Sequence, residues 1–149
     1  MDILYTIKNS DVCEELTYSL RSLKNLPHDK VFIVGGCPKN INKEKIIHIP
    51  TQQLNSKYRN TTNNWRIACL DNRLSENFIL MNDDFFIMSP IVDVEKELNL
   101  NFGTVDSVIK KYYATHKIAS FWLRGMVHTK EYMQNLGIKE PRSEERRVG

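Results

Sequence analysis

What the 149-residue chain lacks narrows its function first. Its three cysteines, Cys13, Cys37 and Cys69, are odd in number and widely spaced, with no Cys-x-x-Cys pair. That excludes a disulfide framework and a zinc module and predicts reduced, packed thiols. No apolar run approaches the roughly 18 residues that a membrane span requires, so no transmembrane segment is expected. The opening Met1-Asp2-Ile3 carries neither a basic n-region nor a signal-peptide core, which predicts a cytoplasmic location. A formal charge of +3, spread over scattered basic residues, argues against nucleic acid as the main partner and leaves phosphorylated small molecules open. Gly35-Gly36 has the spacing of neither a dinucleotide fingerprint nor a P-loop. It reads as a turn, one that would let backbone come close to a ligand at a strand end.

What is present is an ordinary globular composition, 41% hydrophobic and 26% charged, in a chain long enough for one domain with a core. Asp2 to Ile7 predicts a strand. Asp11 and Glu14 follow at capping-box spacing, and Val12, Leu16, Leu20 and Leu23 recur at helical spacing until Pro27. Lys30 to Val34 and Ile46 to Ile49 predict two more strands. Between Leu54 and Asn72 a helix is expected, with Tyr58, Trp65, Ala68 and Cys69 on one face. Beyond Pro90, Val105 to Tyr113 and Thr129 to Leu136 predict helices, with Gly137 as the residue just past the last turn, while Lys117 to Val127 is ambiguous. Strands alternating with helical connections predict an α/β fold with a central, mostly parallel sheet.

The most informative stretch is FILMNDDFFIM, Phe78 to Met88, which sets two carboxylates and an amide between large apolar residues. Phe78 to Met81 predicts a strand buried on both faces, ending at Asn82-Asp83-Asp84, with apolar chain resuming until Ser89-Pro90. Carboxylates beside a core need a cation, donor groups or water. Ligands of open α/β sheets bind at the carboxyl ends of strands, where an acidic pair suits a hard divalent cation bridging to a substrate phosphate. The plainer alternative is a turn in which Asn and Asp satisfy local backbone.

Three pieces then align in order with a known family. DILYTI at Asp2 to Ile7, ELTYSLRSLKN at Glu15 to Asn25 leading into KVFIVGG, and FILMNDDFFIM resemble the first two conserved blocks of the Stealth proteins, over roughly residues 1 to 90. These are sugar-phosphate transferases of bacterial capsule synthesis and the animal N-acetylglucosamine-1-phosphotransferase. The resemblance implies a single glycosyltransferase-A-like domain over residues 1–141 that moves a hexose-1-phosphate from a nucleotide sugar to the hydroxyl of a glycan acceptor. It further implies Mg2+ or Mn2+ on Asp83 and Asp84 as the catalytic and metal-holding pair, Asn82 orienting the acidic turn, and a bacterial or phage origin. It places Arg21 at the donor phosphates, where a guanidinium fork suits the chemistry, and Tyr5 at the substrate. Asn64, in the Asn63-Asn64-Trp65 run, is a candidate for reading a base or sugar hydroxyl, beside a helix-capping alternative.

The chain departs from the family in two places. Tyr5-Thr6 continues as Ile7-Lys8-Asn9-Ser10-Asp11 where first blocks often read Tyr-Thr-Trp-Val before an acidic loop. No later block with a His followed two residues on by Pro is present, and His116 and His128 lack that context. His48, between Ile47 and Ile49, reads as a strand residue, and Phe121-Trp122 with Leu123 as core. The arginine-rich tail RSEERRVG, residues 142–149, resembles translated adapter sequence, so a C-terminally incomplete domain with a non-native or disordered tail is expected. Two alternatives stand beside sugar-phosphate transfer: a metal-dependent glycosyltransferase, and a non-catalytic fragment that binds nucleotide sugar.

Overall fold

The computed structural model describes residues 1–98, 103–115 and 120–138, and the chain divides into two compact units, Met1–Val92 and Asp93–Gly149. His116 and the tail beyond Pro141 lie outside the described residues.

In the first unit β1 (Asp2–Ile7), β2 (Val31–Gly35), β3 (Ile47–Pro50) and β4 (Phe78–Met81) form one sheet in the order β3-β2-β1-β4. All three pairings are parallel. Parallel neighbours require crossovers. α1 (Glu14–Ser22) connects β1 to β2, and α2 (Lys57–Cys69) carries the chain from β3 to β4. A loop with one 3-10 turn, Lys43–Lys45, links β2 to β3. This is the α/β architecture expected.

Side chains alternate across a strand, so Leu4 and Tyr5 face opposite sides of the sheet. On the Leu4 side, Leu4, Phe32, Val34 and Ile49 pack with Ala68 of α2. On the Tyr5 side, the Tyr5 hydroxyl meets Ser19 of α1. Helices therefore cover both faces, which is why β1 and β2 read as unbroken apolar runs. The charged exception is Asp2, 2% exposed. Its carboxylate accepts the backbone N–H of Lys30 at 3.1 Å and of Ser75 at 2.9 Å, tying the start of β1 to the approaches of β2 and β4.

Several expectations are corrected. α1 begins at Glu14 with Cys13 as an extended N-cap and no side-chain cap bond, and the Asp11 carboxylate, two residues before the cap, pairs with Lys39. α2 buries Asn64 and Ala68, one turn apart, while Tyr58, Trp65 and Cys69 face solvent. Small side chains at that contact let the helix lie close to the sheet. β4 is not buried on both faces: it is an edge strand, and Leu80 is 43% exposed.

The second unit holds α3 (Val94–Leu98), α4 (Val105–Thr115) and α5 (Phe121–Asn135). Val105 and Ile109 of α4 pack against Leu123 of α5. The Ser120 hydroxyl caps α5 by accepting the Leu123 N–H, so the helix starts inside the stretch whose sequence is ambiguous. Phe121 faces solvent rather than the core, and Trp122 lies 5.3 Å from Tyr112, ring centre to ring centre. Gly137 closes α5 at φ 83°, its N–H reaching Gln134 O while Ile138 N–H reaches Met133 O. That pairing is a Schellman motif, and the expected glycine occupies the left-handed position.

Candidate functional site

From β1 the chain runs outward to β2 and β3, then returns to place β4 on the other flank of β1. The strand order therefore reverses between β1 and β4. Such a switch point is where open α/β sheets bind ligands. The residues after β4 stand there. Phe85 N–H donates to Asn82 O at 3.3 Å, closing a turn with Asp83 and Asp84 at its corner. Asn82 and Asp84 are exposed and Asp83 is half-buried. The acidic pair is thus both a local turn and a carboxylate corner at a strand end.

The chain leaving this turn is fastened along α1. Ser19 Oγ donates to Phe85 O at 2.5 Å, Ile87 N–H donates to Ser22 Oγ at 3.0 Å, and Asn25 Nδ2 donates to Ile87 O at 2.7 Å. Side chains of α1 and of the 3-10 turn Leu23–Asn25 that follows it thereby satisfy backbone that has no ladder partner.

On the other side of the switch point, the exits of β1 and β2 cross closely. A Cβ on Gly35, whose φ is 103°, would lie 2.2 Å from Ile7 O, and one on Gly36 would lie 2.5 Å from Lys8 O. The close backbone approach expected of this pair is thus made to its own chain. Farther along, Asn40 grips the backbone of Cys13 in both directions: its Oδ1 accepts the Cys13 N–H at 3.3 Å and its Nδ2 donates to Cys13 O at 3.2 Å. The Cys13 thiol in turn lies 3.7 Å from Asp83 Oδ2 and 3.7 Å from Glu15 Oε2. Burial pushes this thiol above its ordinary pKa, and the two carboxylates add to the rise against an N–H from Leu16. Its character is that of a protonated donor. Neither Cys13 nor Asn40 carries a local sequence signal, since the Cys13–Asp83 contact spans 70 residues and the Cys13–Asn40 contact 27.

The remaining sequence candidates sit elsewhere. Tyr5 is fully buried beneath the site, with its hydroxyl 2.8 Å from Ser19 Oγ and 3.6 Å from Met81 Sδ, and burial raises its pKa to about 12. Asn64 is buried with both ends of its amide engaged: Oδ1 accepts from Thr51 Oγ1 at 2.7 Å and Nδ2 donates to Val34 O at 3.4 Å. It secures the ends of β2 and β3 from within. Arg21 stands in the last turn of α1, eight residues beyond Cys13, roughly 12 Å farther along the helix. Its guanidinium lies over the ring of Tyr18 at 5.6 Å. The fold brings Asn82, Asp83 and Asp84 together at the end of β4, and Arg21 lies between Ser19 and Ser22, the two α1 residues that bond the chain leaving this turn.

Among the described residues Asp83 and Asp84 have no ion-pair partner. Nor do three or more His, Cys, Asp or Glu side chains of those residues gather around one point. What the chain offers a cation is a two-carboxylate corner. That donor set fits Mg2+, which is commonly held by one or two carboxylates while water and substrate phosphates complete its shell. His48 donates from Nε2 to Gly35 O at 2.9 Å, and His128 sits on α5 beside Glu131 at 3.5 Å. Neither is part of this corner's hydrogen bonding. No protein-family model, curated protein or solved structure matches the chain.

Proposed function

We propose that the first unit is the donor-binding part of a sugar-phosphate transferase, which passes a hexose-1-phosphate from a nucleotide sugar to an acceptor sugar hydroxyl. One observation carries this reading: Asp83 and Asp84 form a turn corner immediately beyond β4, at the switch point of a parallel sheet, without a cationic partner among the described residues. The resemblance of residues 1 to 90 to the first Stealth blocks supplies the reaction class.

In this reading Asp83 and Asp84 hold a divalent cation, and Asn82 closes the turn that presents them. When bound, Mg2+ or Mn2+ neutralises charge on the donor diphosphate. The contribution of the chain is orientation: α1 fixes the segment that leaves the turn, and Cys13, held by Asn40, contacts Asp83. Phosphoryl transfer depends chiefly on such positioning and on charge stabilisation. No acceptor base is assigned.

Calorimetry with UDP-N-acetylglucosamine, with Mn2+ or with chelator, tests donor binding. Product analysis with a panel of sugar acceptors then separates the chemistry. Release of nucleoside monophosphate supports sugar-phosphate transfer. Release of diphosphate reassigns the protein as a glycosyltransferase, and metal-dependent binding without turnover reassigns it as a binding fragment.

A further inference from the structure

The acidic corner is supported from an unexpected quarter. The thiol of Cys13, at the start of α1, reaches the half-buried Asp83 carboxylate just beyond β4. Cys13 is held in place by its backbone, because Asn40 accepts its N–H and donates to its carbonyl. The same Asn40 amide donates to Thr17 Oγ1 at 2.8 Å, and Thr17 Oγ1 donates to Cys13 O at 3.2 Å. Three residues from two connections thereby close a ring around the helix start. The thiol is the member of this ring that touches the acidic turn.

We infer that Cys13 is a positioning residue for Asp83: held by Asn40, its thiol engages Oδ2 and leaves the other carboxylate oxygen to a divalent cation. This rests on the donor-site reading above. Partners that orient a metal-binding carboxylate by hydrogen bonding govern its affinity without touching the metal. A thiol is a weak donor with a single proton, which puts its effect at the low end of that range. Cys13 also lies within reach of Glu15, which is exposed and on the same helix, so a solvated alternative partner competes for that proton.

The test measures Mn2+ binding to the whole chain by water-proton relaxation, with thermal unfolding followed in parallel. Cys13→Ala is expected to weaken Mn2+ about 10-fold. Cys13→Ser, which restores a donor of similar size, is expected to recover most of that loss. Asn40→Ala, at an exposed position, should move affinity in the same direction as Cys13→Ala. Parent-like affinity in Cys13→Ala overturns the inference, and so does equal weakening in Cys13→Ala and Cys13→Ser, which indicates packing alone. Parent-like affinity in Asn40→Ala removes Asn40 from the arrangement. Asp83→Asn separates the two levels: if it leaves Mn2+ binding unchanged, the donor site itself falls. If it abolishes binding while Cys13→Ala does not weaken it, only the role of Cys13 falls.

Discussion

The Tyr5 hydroxyl meets Ser19 Oγ at 2.8 Å inside the first unit, and Ser19 Oγ donates onward to Phe85 O, just past the acidic turn. Ser19 has one hydroxyl proton, so with that proton on Phe85 O the Tyr5 hydroxyl is the donor to Ser19. β1, α1 and the segment after β4 are joined by this chain of two bonds. Tyr5→Phe removes its first donor and is expected to cost about 1 kcal/mol in urea unfolding. If Tyr5 acts from beneath the site, the variant keeps parent-like affinity for nucleotide sugar once folded.

The same residue predicts an alkaline limb. Tyr5 ionises at about 12 in the folded protein against 10.0 ordinarily, because burial disfavours the phenolate. A raised folded value means its contribution is complete below pH 10 and is lost as pH rises from about 10 to 12, while the unfolded chain ionises first. Unfolding free energy measured across that window should fall in the parent and fall less steeply in Tyr5→Phe.

At the other end of the pH scale, Asp2 supplies the opposite sign. Burial raises its pKa, but N–H groups of Ser75 and Lys30 and the Ser75 hydroxyl outweigh it, and the net value lies below the ordinary 3.8. Its stabilisation is present above that pH and is lost as pH falls through the lower folded value. Asp2→Asn presents an N–H where N–H donors already point and should cost about 1–3 kcal/mol at neutral pH. Acid titration of the variant, followed by circular dichroism, should show a shallower loss of stability below pH 3.8.

For the acidic corner, Asp83→Asn and Asp84→Asn should each abolish most Mn2+-dependent binding of UDP-N-acetylglucosamine in calorimetry. Melting temperatures should stay level or rise, since removing one of two neighbouring carboxylates relieves repulsion in the metal-free protein. Unchanged affinity in both variants would return the pair to a purely structural turn.

Arg21 offers a contrast within one helix. Its guanidinium rests over the ring of Tyr18 and forms no ion pair with Asp83 or Asp84, so Arg21→Ala should leave donor affinity close to that of the parent. A graded loss from parent to Arg21→Lys to Arg21→Ala would instead show that its bidentate fork reaches donor phosphate.

The sequence by itself determined the elements that rest on local patterns. Period-two and unbroken apolar runs place β1 and β4 at Asp2–Ile7 and Phe78–Met81, the strand-end acids follow directly, and Gly137 ends α5 because few other residues tolerate its left-handed backbone. Helical faces are less legible: Asn64 reads in the sequence as either a ligand-reading amide or a helix cap, and α2 instead turns it inward to Val34 and Thr51. Only the tertiary structure decided the lateral order β3-β2-β1-β4, and with it the exposure of Leu80 and the switch point beside Asp83. Only it brought Cys13 to the acidic turn and Asn40 to Cys13. Periodicity reports which side of an element is apolar, whereas strand order and cross-loop contacts depend on where crossovers return the chain, and residues 70 apart carry no mark of that in their neighbours.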